Sequence, residues 1–376
     1  MPRLSYVCYL ILPTAMFLAG VHLCDNALHA QGAEGQAVNI VTVDGVKLKG
    51  FFYAGKAASP TVIMLHPLGE GKSSKSQDWK GLAESLQKGG YSVMMFDFRG
   101  HGDSTTIEQP DAFWSLLVNR SNVKTKLKDE IDVKDFINST VYLPVLVNDI
   151  AAVKAYLDRR HDKAECNTSN TIVIGADNGG TLGAIWINSE SYRYKLTPPT
   201  NMFSKPTVAK RAEASDIIAA VFLTITPDLG PKRKVNVPSI LTNACKANGM
   251  GATFFYGDKD VKPKDFAKTL ESKLIVKDKE GKPSKKHSFI GAVEISNTNL
   301  SGVKLLQKGI DPPTNETILK YLDGLVAERT NEYVERDSQN ALYIWRIPSA
   351  PLQAISAKKT KGDKNLHFND YSAYAQ

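Results

Sequence analysis

The chain has 376 residues, 42% hydrophobic and 23% charged, a usage that excludes collagen-like, coiled-coil and wholly disordered chains. A single apolar run, Tyr6 to Leu23, approaches the roughly 20 residues needed to cross a bilayer, which excludes a polytopic membrane protein. Lys and Arg outnumber Asp and Glu by 47 to 39 for a net charge of +8, but the cations are scattered, without a basic helix or interleaved aromatic platform, so no nucleic-acid partner is expected.

In chain order, the apolar run follows Arg3 and leads to Leu28 and Ala30, a small-residue exit of the kind signal peptidase accepts. Residues 1–30 therefore read as a signal peptide, and the protein as exported to a periplasmic or extracellular space. The alternative is an uncleaved N-terminal membrane anchor, because the run is long and its basic flank thin. Cleavage removes Arg3 and Asp25, leaves the net charge at +8 and retains no stable membrane span. Of four cysteines, Cys166 and Cys245 would remain; pairing between them is left open by sequence. No CxxC or His/Cys cluster suggests a metal, and no cofactor is expected.

Val38 to Thr42 and Lys47 to Tyr53 flank the turn dipeptide Asp44-Gly45 and predict an opening β-hairpin. Short apolar runs follow at Thr61 to Leu65, Ser92 to Phe96, Thr171 to Ile174, Ala219 to Thr224, Ala252 to Tyr256 and Ser288 to Glu294. They lack strict alternation, as strands buried on both faces do. Amphipathic stretches at Trp79 to Lys88, Leu146 to Arg160, Thr181 to Asn188 and Glu316 to Arg329 predict helices. The alternation implies an α/β fold: a doubly wound, mostly parallel sheet with an N-terminal antiparallel hairpin. One domain is expected over 31–348, interrupted by 105–142 and 194–215 as insertions or cap-like segments over the strand ends. The Lys-rich stretch 349–376 is expected to be a disordered polar tail.

Within Thr171 to Gly180 a buried-strand pattern runs into Gly175-Ala176-Asp177-Asn178-Gly179-Gly180 and then a helix with small residues. This is the shape of a nucleophile elbow, whose glycines admit a strained turn between strand and helix. Upstream, one strand leads into His66-Pro67-Leu68-Gly69 and another into Asp97-Phe98-Arg99-Gly100-His101-Gly102-Asp103-Ser104. Together these segments resemble the α/β-hydrolase superfamily over roughly Val38 to Arg329, with Asp97 to Ser104 the most specific part. The resemblance implies an α/β-hydrolase-type sheet. It places Asp177 at the nucleophile position, Asp260 at the triad acid, and the backbone N–H groups of Leu68 and Asn178 at the oxyanion positions.

Two departures from that pattern bear on activity. Asp177 stands where Ser is usual; a carboxylate can attack carbon to give an ester, but its hydrolysis then needs an activated water. After the last strand, where the superfamily carries its basic histidine, the chain has Ser301-Gly302, and a hydroxyl takes no proton usefully near neutral pH. His66 and His101 belong to turn structure in the resemblance, His287 should emerge at the opposite sheet end, His161 is expected to be solvated, and His367 falls in the tail. The resulting expectation is a degenerate triad with no catalytic histidine, Ser301 standing in its place, and a small-molecule ligand or partner bound in the old active-site crevice. The alternative is an active hydrolase, either of ester type or with Asp177 as nucleophile and an unconventional base.

Overall fold

The computed structural model describes residues 34–125, 129–199, 201–230, 232–277, 279–282, 284, 288–345, 369 and 371–374. The expected signal peptide, most of the tail, His287 and His367 lie outside them. The elements are β1 (Gln36–Val41), β2 (Val46–Tyr53), β3 (Pro60–Leu65), α1 (Gln77–Lys88), β4 (Ser92–Phe96), β5 (Thr106–Ile107), α2 (Pro110–Ser115), α3 (Leu117–Asn122), α4 (Val147–His161), β6 (Asn167–Ala176), α5 (Asp177–Glu190), β7 (Arg193–Thr197), β8 (Thr207–Val208), β9 (Ile217–Leu223), β10 (Asp228–Gly230), β11 (Arg233–Lys234), α6 (Val237–Thr242), β12 (Gly251–Gly257), α7 (Val261–Leu274), β13 (Ile290–Ile295), α8 (Thr314–Arg329) and β14 (Leu342–Trp345).

Among the described residues the main sheet runs β1-β2-β4-β3-β6-β9-β12-β13, with β5 beside β2. From β4 onward its neighbours are parallel, while β1–β2 and β2–β4 are antiparallel. Every residue of β6 and β9 is buried, as central strands covered by helices on both faces must be. One apolar layer packs Trp79, Leu82 and Leu86 of α1 with Ile318, Leu322 and Leu325 of α8; the other holds α4, α5, α6 and α7. Helix α1 starts where the Ser76 hydroxyl accepts the Trp79 N–H, and its apolar side recurs at helical spacing.

The strand-4 loop is fixed by charge. The Arg99 guanidinium is fully buried and donates to Asp44 Oδ2 at 2.7 Å and to Asp149 Oδ1 at 2.7 Å, and the Arg99 backbone N–H reaches Asp149 Oδ2 at 3.0 Å. The opening hairpin, the strand-4 loop and α4 are therefore locked together by one cation between two carboxylates. Burial works against ionisation, yet the Arg99 charge outweighs it at Asp44, whose carboxyl lies below its usual range. Asp97 organises the same loop by accepting the Ser74 N–H and hydroxyl and the Asp103 N–H.

Two expectations are corrected, and the two inserted segments lie at different ends of the sheet. Segment 194–215 leads into the start of β9, at the end of the parallel strands opposite the elbow, and forms a small sheet, β14-β7-β8. Segment 105–142, by contrast, leaves the C-terminal end of β4 and so begins at the site's edge. Within the expected disordered tail, Tyr371 and Tyr374 are buried against Trp345; Asn148 pairs both ways with the Asn369 backbone at 3.0 and 3.1 Å, and Asn188 donates to the Tyr374 carbonyl at 3.0 Å. Two tyrosines supply apolar surface that the polar composition around them obscured. His161 is buried rather than solvated, stacked on Tyr333, because the chain after α8 folds back over the end of α4.

Candidate active site

The turns after β3, β4, β6 and β12 leave the C-terminal ends of parallel strands, the place where open α/β sheets present ligand-binding loops. Asp177 sits where β6 turns into α5, with φ +48°. Such a conformation is uncommon for a side-chain-bearing residue. The turn closes only because of its glycines: a β-carbon on Gly179 would overlap the His66 carbonyl oxygen and lie 2.8 Å from its carbon, and one on Gly175 would lie 2.5 Å from Gly180 Cα. The elbow is thus wedged against the strand-3 loop.

Burial pushes the Asp177 carboxyl up to about 6; the Lys72 charge opposes this and the Asp260 charge adds to it. Asp260 precedes the first turn of α7, immediately after the β12 loop, and its side chain makes no capping hydrogen bond there. The loop after β13 is held on the end of β12, where Asp258 accepts the Thr298 N–H at 2.9 Å and the Lys259 N–H donates to the Thr298 carbonyl at 3.1 Å. This anchoring brings the Ser301-Gly302 pair to the elbow.

Gly302, rather than Ser301, is the residue pressed on Asp177. Its φ is +57°, and a β-carbon there would overlap Asp177 Oδ2 and lie 2.7 Å from Cγ and 2.8 Å from Oδ1. The carboxylate and a bare backbone together fill the space facing the nucleophile position.

The oxyanion donors are also rearranged. The Leu68 N–H, expected to face the reacting centre, donates instead to the Asn178 side-chain oxygen at 2.7 Å, and the Asn178 amide lies 3.4 Å from the Leu68 carbonyl. A carboxamide one residue beyond Asp177 therefore occupies a donor that an oxyanion hole must leave available.

Every histidine among the described residues has both ring nitrogens engaged. His66 Nδ1 donates to the Pro67 carbonyl at 2.7 Å while Nε2 accepts the Phe98 N–H at 3.1 Å; a carbonyl only accepts, so the tautomer is fixed. Burial, with the His101 ring beside it, lowers its pKa to about 3. His101 donates from Nδ1 to the Arg99 carbonyl and accepts the Gly69 N–H. His161 accepts the Thr168 N–H and donates to the Val334 carbonyl. All three are neutral struts, with burial lowering the pKa of His101 and His161 as well.

A residue missed in the sequence stands beside the elbow. Ala176 pairs with Leu223, so Thr224, one position on, follows in register with Asp177. Thr224 is 7% exposed, has φ +55°, and its hydroxyl has no hydrogen-bond partner among the described residues. A β-branched residue in that conformation is strained. Reading Ala219 to Thr224 as one uninterrupted strand concealed it. Cys166 and Cys245 are both free and buried, and burial pushes each thiol up to about 12. They are inert core residues. Among the described residues, no group of three or more His, Cys, Asp or Glu side chains is arranged to hold a metal ion.

A family model described as the alpha/beta hydrolase fold matches residues 60–188, the stretch from β3 through the elbow and α5 that builds this site. The chain has the alpha/beta hydrolase fold. Among its relatives is a thiohydrolase of Aspergillus aculeatus, 42% identical over 67 residues, 18% of this chain and 20% of that protein. The chain thus matches about one fifth of the length of that curated relative. Among solved structures, a dienelactone hydrolase from Anabaena variabilis is 16% identical, with 80% of this chain and 99% of that one covered at a TM-score of 0.47. An esterase from Pyrococcus furiosus is 19% identical, with 79% and 93% covered at a TM-score of 0.48. No helix among the described residues is long and apolar enough to cross a membrane.

Proposed function

We propose that this α/β-hydrolase-fold protein is exported and non-catalytic, binding a small ligand or partner group in the crevice at Asp177. The carrying observation is the contact between Gly302 and the Asp177 carboxylate: among the described residues every histidine is engaged elsewhere, and backbone without a side chain lies against the carboxylate. An aspartyl ester formed there would find no activated water and would accumulate. The Asn178 side chain on the Leu68 N–H supports the same reading. Asp260 and Lys72 both lie near enough for their charges to act on Asp177, in opposite senses. The expectation of export rests on the apolar run and small-residue exit within residues 1–30.

A second reading, an Asp177-dependent hydrolase, is favoured by one observation: a carboxyl pushed up to about 6 is suited to proton transfer near neutrality. Turnover of short-chain esters, thioesters, haloalkanes and epoxides separates the two, together with intact-mass measurement after incubation. The non-catalytic reading requires negligible turnover. Robust wild-type turnover that disappears in Asp177→Asn refutes it, and an adduct on Asp177 would identify the chemistry.

A further inference from the structure

The β7–β8 hairpin presents an apolar tip that the domain itself does not use. Met202 and Phe203 are adjacent and each 89% exposed. Their placement is built in: the Asn201 side-chain oxygen accepts the Phe203 and Ser204 N–H groups at 2.9 Å each, and the Ser204 hydroxyl accepts the Asn201 N–H at 3.1 Å. Two large apolar side chains held in water by a hydrogen-bonded turn mark a surface that is completed by something else.

Charge indicates what completes it. From Arg193 to Ala212 the chain carries Arg193, Lys195, Lys205, Lys210 and Arg211 and no Asp or Glu. Arg193 is committed to Glu190 and stacks on Tyr343, and Lys195 donates to the Arg336 carbonyl. Lys205, Lys210 and Arg211 are exposed on the β8 side. Of the nearby acids, Glu213 and Asp216 face Arg336, while the exposed Glu332, Glu335 and Asp337 precede β14, on the other side of β7. The order is therefore an apolar tip followed by a cationic collar. That depth order complements a bilayer, whose anionic headgroups lie above an apolar interior, better than it complements a protein groove. Strand β1 begins at the same sheet edge, where Arg160 at the end of α4 donates to Gln36, so the polypeptide enters the domain on the hairpin's side.

We infer that this hairpin is a membrane-docking element: Met202 and Phe203 enter the interface of an anionic phospholipid bilayer while Lys205, Lys210 and Arg211 meet its headgroups, leaving the Asp177 crevice at the far edge of the sheet open to solution.

The test is co-sedimentation of the full chain with vesicles of phosphatidylcholine alone and of phosphatidylcholine mixed with phosphatidylserine. Binding to the mixed vesicles is expected to fall about tenfold or more in Met202→Ser/Phe203→Ser, and roughly fivefold for each of Lys205, Lys210 and Arg211 changed to Ala. Because the apolar run Tyr6 to Leu23 can itself bind lipid, a tip-specific readout accompanies this: Phe203→Trp, with the fluorescence gain quenched by acyl-chain-brominated phospholipid only in phosphatidylserine-containing vesicles. The substituted side chains are exposed, so the thermal melts of all variants should match the wild type. Unchanged binding in Met202→Ser/Phe203→Ser, absence of quenching, quenching equal in neutral vesicles, or a tip that binds a purified protein but no vesicle would each overturn the inference.

Discussion

Gly302→Ala tests the packing on which the functional reading rests. Alanine at φ +57° costs about 1–2 kcal/mol from the left-handed backbone alone. Its β-carbon would also overlap Asp177 Oδ2 and sit 2.7 Å from Cγ. Asp177 is short, and its own φ of +48° ties it to the elbow, so it yields poorly; overpacking of this kind costs about 1–3 kcal/mol. The single variant should therefore lose about 2–5 kcal/mol, less about 0.4–1 kcal/mol because alanine stiffens the unfolded chain. In an Asp177→Ala background the overlapping atoms are absent and only the backbone cost remains. A double-mutant cycle by urea denaturation at pH 7 should then return a coupling of about 1–3 kcal/mol. Additivity within about 0.5 kcal/mol would show that Gly302 and Asp177 do not press on one another, and the account of the missing base would fail with it.

Asp177→Asn should stabilise the protein at pH 7. A carboxyl raised from 3.8 to about 6 contributes stability that is present below about pH 4 and lost as pH rises through 6. The wild type should lose up to about 3 kcal/mol relative to the variant across that window, and a flat difference between pH 4 and 7 would contradict the burial argument. Arg99→Met leaves Asp44 and Asp149 buried without their cation and should cost about 3–5 kcal/mol at pH 7, less at pH 5, where the carboxyls take up protons; a loss under 1 kcal/mol would show the pair to be dispensable. Asp177→Ser with Ser301→His should gain esterase activity over either single change, and adding Asn178→Ala should raise it at least tenfold further by releasing the Leu68 N–H. Equal activity with and without Asn178→Ala would mean the carboxamide does not obstruct that donor.

The central strands were legible where burial on both faces left uninterrupted apolar runs, and the opening hairpin from its Asp44-Gly45 turn; the six runs and the two hairpin strands all lie in the main sheet, within a few residues of their expected ends. Helix α7 escaped notice because only Ala267, Leu270 and Leu274 are buried in it, too sparse a stripe among lysines. The sheet β14-β7-β8 was illegible for a different reason: Leu342 to Trp345 finds its partner nearly 150 residues upstream, and four residues carry no sign of such a pairing. At the site, glycine spacing disclosed the elbow, since its cause is local sterics. The Asn178–Leu68 bond and the Asp44–Arg99–Asp149 lock join residues from different loops, so residue type alone could not reveal them; Asp44 read as a turn former, and its carboxylate serves the interior. Likewise, choosing between Ser301 and Gly302 required knowing which of two neighbours faces the carboxylate.

The docking of Asn369 and Tyr371–Tyr374 has a consequence for the core. Tyr371 and Tyr374 join the same apolar core as α4 and α5 and lie against Trp345 and Tyr192, while the buried Asn148 and Asn188 spend their side-chain amides on the backbone of Asn369 and Tyr374. Removing this segment would uncover those rings and leave each amide short of an acceptor, at a cost of about 1–3 kcal/mol for every amide that water does not reach, so a chain cut before Asn369 should melt at a lower temperature although it keeps the Asp177 elbow whole.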